Sequence, residues 1–344
     1  MPRPSGALLC GSMPLRSADE AMRTVASHLG PWLRRVPDGE PGPRSRWARW
    51  QARTFDEHPA FQRMPSLGKA TFRYRPERHA GTPLTFPALG YAEAAAQAYQ
   101  VLGALRADGI LAPDVRLQVS LPTPLAVVAL NLEESAWDAV LPAYHDALRR
   151  EIDAIRAAVP DHDLAIQWDV AVEMFKVFDV EPRVPAAVEA RVMAKLVQLG
   201  SEVPEDVELG YHLCYGDPRR SGYRPPADAG VLALVARTLL RDVRRPVTWL
   251  HLPVPAHADA AWFEPLRDLD LPEATELYLG LITLPGGSAT AQRLIAAAAP
   301  AVPRFGLATP CGVGRLPAAD GGHPDTFCDL LRLHAALADP RYRW

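Results

Sequence analysis

Lysine is nearly absent from this 344-residue chain: Lys69, Lys176 and Lys195 are the only lysines among 37 basic residues. Covalent Schiff-base chemistry therefore has few possible nucleophiles. Cysteine is scarce as well, and Cys10, Cys214, Cys311 and Cys328 are too few and too scattered to form a disulfide framework in a chain this long. A reducing, cytoplasmic setting fits that usage. Long apolar runs are missing: no segment approaches about eighteen uninterrupted apolar residues, and the stretch 7–10 is far shorter than a signal-peptide core, so neither a membrane span nor export is expected. Neither sign of charge dominates, with 37 basic and 40 acidic residues giving a formal net charge of −3. No basic stripe offers nucleic acid a footprint. Internal repeats and low-complexity blocks are lacking too. No Gly-x-Gly-x-x-Gly opens a helix after the first apolar run, which weakens a dinucleotide-binding reading.

Against these absences stands an ordinary globular composition, 48% hydrophobic and 22% charged, with 35 prolines, about twice the usual share. Many of the prolines follow apolar runs, where strand-to-helix loops would lie. Short apolar runs that read as buried strands occur at 7–13, 115–121, 164–172, 207–215, 247–252, 277–283 and 305–309, with 71–74 as a weak eighth. Helical patterns occupy 91–107, 136–158, 185–199, 229–241, 288–299 and 324–337; in the second, Trp137, Val140, Leu141, Tyr144, Leu148, Ile152 and Ile155 follow a 3.6-residue period. Alternating strands and helices imply a parallel sheet, and about eight units point to an α/β fold of the (β/α)8 TIM-barrel type. The whole chain 1–344 reads as one barrel domain. The segment 30–87, rich in Arg, Trp and Pro, is too long for a simple loop and reads as an insertion capping the barrel mouth.

The richest chemistry lies in His212-Leu213-Cys214, at the end of one apolar run, and in Thr309-Pro310-Cys311-Gly312, just after another. Residues two apart on a strand share a face, so His212 and Cys214 can address one metal ion, with Cys311 as a third ligand. The C-terminal ends of strands are where barrel enzymes keep their active sites. One imidazole and two thiolates suit zinc, and three protein ligands leave a vertex open for chemistry. Asp169 lies within an apolar run, where a carboxylate needs a partner or a function. Glu173 offers a second carboxylate on the same side if the strand continues. Glu40, in Pro37-Asp38-Gly39-Glu40-Pro41-Gly42, also fits a plain turn. Cys10 and Cys328 read as small buried hydrophobes. His323 reads as a solvated loop residue, and Arg219, Arg220 and Arg315 stay open between anion binding and covering the rim.

Five short motifs stand in order along the chain: Gly11-Ser12-Met13-Pro14, Asp38-Gly39-Glu40-Pro41, Gln167-Trp168-Asp169, His212-Leu213-Cys214-Tyr215 and Pro310-Cys311-Gly312. In this set the chain resembles the catalytic barrel of cobalamin-independent methionine synthase, in the superfamily that includes epoxyalkane:coenzyme M transferase and uroporphyrinogen decarboxylase. The resemblance implies that His212, Cys214 and Cys311 hold Zn2+, which in turn holds the acceptor thiol as a thiolate. It also implies that Ser12 contacts the carboxylate of an amino-thiol such as homocysteine, while Glu40 and Asp169 contact its ammonium.

The departures from that family bear on the donor. Where the synthase has a fourth zinc ligand, a glutamate, the strand here ends in His251, which is expected either to ligate the metal or to serve as a base; Asp169 and His251 are thus the candidate catalytic residues. Ile282-Thr283-Leu284-Pro285 stands in place of the family's proton-relaying histidine, and Thr283 cannot be a general acid at neutral pH. The folate-binding half is absent. The expectation is therefore a zinc-dependent transferase that alkylates a small-molecule thiol from a donor other than methyltetrahydrofolate, with a corrinoid-bound methyl group, an epoxide or another activated alkyl compound open. The alternatives are a metal-dependent lyase or hydrolase using metal-bound water, and a ligand-binding barrel that has lost catalysis. A homo-oligomer is left open.

Overall fold

The computed structural model describes residues 4–65, 71–79, 81–179, 183–216 and 225–339. Its strands are β1 (Ala7–Leu8), β2 (Arg35–Pro37), β3 (Phe61–Met64), β4 (Thr71–Tyr74), β5 (Arg116–Pro122), β6 (Leu164–Val170), β7 (Glu208–Leu213), β8 (Trp249–Pro253), β9 (Glu276–Gly280) and β10 (Gly306–Ala308). The helices are α1 (Ala18–Leu29), α2 (Ala52–Asp56), α3 (Tyr91–Ala107), α4 (Pro124–Asn131), α5 (Trp137–Ala158), α6 (Ala186–Ser201), α7 (Gly230–Asp242), α8 (Ala260–Phe263), α9 (Gly287–Ala298) and α10 (Pro324–Ala338).

Eight strands form one sheet in the order β1-β10-β9-β8-β7-β6-β5-β2, every neighbouring pair parallel. A parallel bridge between Ala7 and Leu33 draws the two edges together, so the sheet is a nearly closed (β/α)8 barrel. Closure explains the sequence pattern: β6 is buried at all seven positions because one face meets the helices and the other the barrel interior. The helices are one-sided. Val140, Tyr144, Leu148, Ile152 and Ile155 of α5 are buried along one stripe, as the 3.6-residue period predicts. Ser17 caps α1 by accepting from the Glu20 amide, and Thr123 caps α4 by accepting from Ala126.

Two expectations are corrected here. The run 71–74 does form a strand, but β4 pairs with β3 in an antiparallel hairpin outside the barrel. The eighth barrel strand is β2, only three residues long, which pairs with β5. The segment 30–87 therefore begins with a piece of barrel wall. The first strand is also shorter than the run 7–13: Gly11 adopts φ +138° and the Met13 amide donates to Gly39 O at 2.9 Å, so the chain leaves the ladder after Leu8.

Inside the barrel, register stacks the side chains in layers. Gln167, Gly210 and Trp249 are paired across β6, β7 and β8, and two residues further along so are Asp169, His212 and His251. The second row lies at the C-terminal ends of the strands. Among the described residues, no helix is long and apolar enough to cross a membrane.

Candidate metal centre

Because neighbours in register point to one face, Asp169, His212 and His251 project side by side into the mouth. The two imidazoles meet through Nδ1 atoms 2.6 Å apart, and His251 Nε2 lies 3.0 Å from the carbonyl oxygen of Thr309. A carbonyl only accepts, so His251 carries its proton on Nε2 and receives a hydrogen bond from His212 Nδ1–H. Burial, then the neighbouring His212, drives the His251 pKa well below the ordinary histidine range, which keeps that ring neutral. His212 Nε2 is then left facing the sulfurs, buried and without a hydrogen-bond partner among the described residues.

Cys214 and Cys311 sit opposite this nitrogen, their sulfurs 3.6 Å apart, and the ligand atoms of His212, Cys214 and Cys311 lie within 4.8 Å of one another. The Gly216 amide donates to Cys214 Sγ at 3.3 Å. Hydrogen bonding to Cys311 raises the Cys214 pKa, and the same contact lowers that of Cys311, so Cys214 holds its proton more firmly than Cys311 does. Burial opposes charge on His212, yet Cys10 and Cys214 hold its pKa well above the ordinary range. A soft cation displacing these protons is what such a donor set accommodates.

Cys10, read from sequence as a packing residue, belongs to this cluster: its ligand atom lies within 4.8 Å of atoms of His212 and His251. It follows β1 just as Cys311 follows β10, and those two strands are paired. That shared position at adjoining strand ends was the one available signal, and it needs the pairing to be seen. His251, expected either to ligate the metal or to serve as a base, is fully buried, with one ring nitrogen on His212 and the other on Thr309 O, and it forms with His212 and Cys10 a second group of ligand atoms within 4.8 Å of one another.

Two carboxylates stand beside the centre. Asp169 accepts from Gln167 Nε2 at 2.8 Å and from Trp47 Nε1 at 2.9 Å, and burial lifts its pKa to about 6. Trp47 belongs to the segment expected to cap the mouth. Glu40 is raised further, to about 8, by burial and then by the neighbouring Asp169 and Asp38. Glu40 (φ 49°) and Trp47 (φ 53°) are the non-glycine residues with positive φ among those described. Both bear on the same corner, and such strain persists where surroundings enforce it. A Cβ on Gly11 would stand 2.9 Å from Glu40 Oε1, so glycine is what lets the carboxylate approach the first loop. Ser12 is buried, its carbonyl accepting from Val313 and Gly314, and a Cβ on Gly312 would come within 2.7 Å of its Oγ. Ser12 is thereby fixed against the Cys311 loop.

A cleft of about 440 Å³ opens over the sulfurs, with Cys214, Cys311, Pro253, Pro285, Ile282 and Thr283 in a mainly apolar wall. Arg315 donates to Ser45 O at 2.5 Å, and its charge is felt at both Glu40 and Cys311. His323 caps α10 at the surface. Arg219 and Arg220 lie outside the described residues.

Together these features define an α/β barrel with a thiol–imidazole cluster and buried carboxylates at the C-terminal mouth of its sheet. No family model matches the chain, and no curated protein does. Among solved structures it is similar to a methyltransferase from Methanosarcina mazei, with a TM-score of 0.53 and 13% identity over 99% of this chain and 95% of that one. That likeness is one of fold.

Proposed function

We propose that this chain is a zinc-dependent transferase that moves a methyl or other alkyl group onto a thiol, with an amino-thiol such as homocysteine as acceptor. The observation that carries the reading is His212 Nε2, buried without a hydrogen-bond partner among the described residues and facing two sulfurs 3.6 Å apart. A buried nitrogen left so beside two sulfurs is costly, and a cation bound by all three groups relieves that cost. The methyltransferase that shares the fold is consistent with the same class of reaction.

His212, Cys214 and Cys311 would hold the metal and leave a vertex for the acceptor, while Cys10, grouped with His212 and His251, stands next to them. Bound there, zinc would lower the pKa of an acceptor thiol enough to keep it nucleophilic at neutral pH. His251 acts through His212: by accepting from Nδ1 it fixes the tautomer that presents Nε2. Asp169 and Glu40 supply two carboxylates for an ammonium, and ammonium binding would return both to the charged form. Ser12, fixed against the Cys311 loop, would meet the acceptor's carboxylate. The apolar cleft over Cys214 and Cys311 fits an alkyl donor such as a corrinoid-bound methyl group, an epoxide or another activated alkyl compound, and Thr283 in its wall, standing in place of a relaying histidine, disfavours methyltetrahydrofolate.

Metal analysis of protein purified without chelators should give about one zinc per chain, and Cys214→Ser should lose most of it. X-ray absorption should then gain a zinc–sulfur distance near 2.3 Å when homocysteine is added. Zinc content indifferent to Cys214→Ser would sink the metal assignment. An unchanged spectrum would instead favour a hydrolytic or lyase reaction.

A further inference from the structure

A second cavity lies outside the metal centre. The space, of about 380 Å³, sits among α4, α5 and α6 and shares no lining residue with the cleft over Cys214 and Cys311. Helix α5 packs chiefly on α3 and α4 while α6 packs on α7, which leaves a gap between α5 and α6. The wall is mainly apolar, with Leu125, Leu141, Val177, Val192 and Leu196 among its residues. This size and character suit a small-molecule site.

One polar group stands out at its inner end. Strand β6 stops at Val170, and Glu173 opens a π-helical turn, Met174–Phe178, instead of continuing the inward row of Asp169. Glu173 is 1% exposed and lines the cavity. Its Oε1 accepts from Thr123 Oγ1 at 2.5 Å, whereas Oε2 has no partner among the described residues. The Thr123 hydroxyl spends its one proton on Oε1 and accepts from the Ala126 amide, so it has nothing left for Oε2. Burial lifts the Glu173 pKa to about 7. The other charged groups lining the cavity, Asp138, Asp146, Arg191 and Lys195, are exposed residues at the outer rim, and the half-buried His145 is paired with Glu202 at 2.7 Å. None of them is placed by a hydrogen bond on Glu173.

We propose that this cavity is a binding site for a small apolar primary amine, whose ammonium group pairs with Glu173 Oε2 and whose hydrocarbon body lies along Leu141, Val177 and Val192. A buried carboxylate oxygen left without a donor destabilises the fold, so its retention at the cavity wall, closed off until the side chain turns, marks the place of an absent donor. An ammonium ion supplies both the missing hydrogen bond and the counter-charge that keeps the carboxylate ionised. An alcohol supplies only the first. The site is independent of the metal centre and of the reaction proposed for it.

The test is calorimetric titration of the full chain at pH 8 with n-octylamine, beside n-octanol and octanoate, in wild type, Glu173→Gln and Val192→Trp. In wild type the amine should bind at a single site at least about 10-fold more tightly than the alcohol, and octanoate should not bind. Glu173→Gln should abolish the preference for the amine. Val192→Trp, which fills the cavity and leaves the carboxylate in place, should abolish amine binding. Equal binding of amine and alcohol to the wild type, no amine binding, or amine binding that survives Val192→Trp would each overturn the proposal. Should Glu173→Gln fail to fold, the wild-type comparison and Val192→Trp decide alone.

Discussion

Each histidine of the barrel mouth depends on which atom it presents. His212 is useful as a ligand because His251 takes its Nδ1 proton, and His251 can do so because Thr309 O holds the other end of the ring. The same logic, without chemistry attached, governs His334 on α10. That ring is fully buried, donates from Nε2 to Leu307 O at 3.0 Å and leaves Nδ1 without a partner among the described residues, and burial lowers its pKa from 6.5 to about 4. A depressed pKa means that the unfolded chain takes up a proton first as the pH falls. Stability from this residue is therefore complete above pH 6.5 and is lost progressively towards pH 4, by roughly 3 kcal/mol at most. His334→Gln should flatten that part of the profile, seen as a smaller difference between urea midpoints at pH 7 and pH 5 than in wild type. An unchanged difference would mean that the acid sensitivity arises elsewhere. The residue types that carry chemistry were legible along the chain: His212, Cys214 and Cys311 could be picked out by spacing and strand-end position. Cys10 could not, because nothing in Leu9-Cys10-Gly11 distinguishes a packing thiol from one facing an imidazole some two hundred residues away.

Elements were legible in proportion to their length. The helices α3, α5 and α10 coincide with their periodic patterns to within a residue, because each pattern repeats over several turns and is bounded by caps or by glycine and proline. Strand β2 was missed, since Arg35-Val36-Pro37 offers three residues of which one is charged and one is proline. Thr71–Tyr74, a weak eighth run in the sequence, did form a strand and went to a hairpin, because a local pattern reports a strand and not its partner. Close packing between elements also left marks that only the fold explains. A Cβ on Gly210 of β7 would fall 1.9 Å from the Trp249 ring of β8, so the glycine is the space in which that indole lies. Gly210→Ala should destabilise the barrel by about 1–3 kcal/mol, read from denaturant unfolding, with the far-UV spectrum little changed. A neutral effect would show that Trp249 moves freely at this position.

Over the whole molecule, the short strand β2 is tied across the barrel by one side chain. Arg35 is 1% exposed, lies 4.2 Å over the Trp249 ring, and donates to Glu208 of β7 at 3.0 Å and to Glu276 of β9 at 2.8 Å. Arg35→Ala would leave Glu208 to Arg116 and Glu276 to Arg34, and the indole face without its cation, at a cost of about 1–3 kcal/mol in the free energy of unfolding. Arg35→Lys should recover only part of that, because an ammonium lacks the planar fork that reaches both acids while stacking on the ring. A full recovery would show that charge alone holds β2. The alternating pattern of apolar runs and amphipathic helices determined by itself that the chain would form a (β/α)8 barrel, since buried parallel strands and one-sided helices are written into local hydrophobicity. Local order also placed a histidine and two cysteines at strand ends. Only tertiary structure decided that Cys10 joins them, that His251 turns its nitrogens to His212 and Thr309, that β2 closes the wall, and that Glu173 faces a separate cavity. These depend on strand register and on contacts between residues far apart in the chain, and no local pattern encodes a distance that closure of the barrel creates.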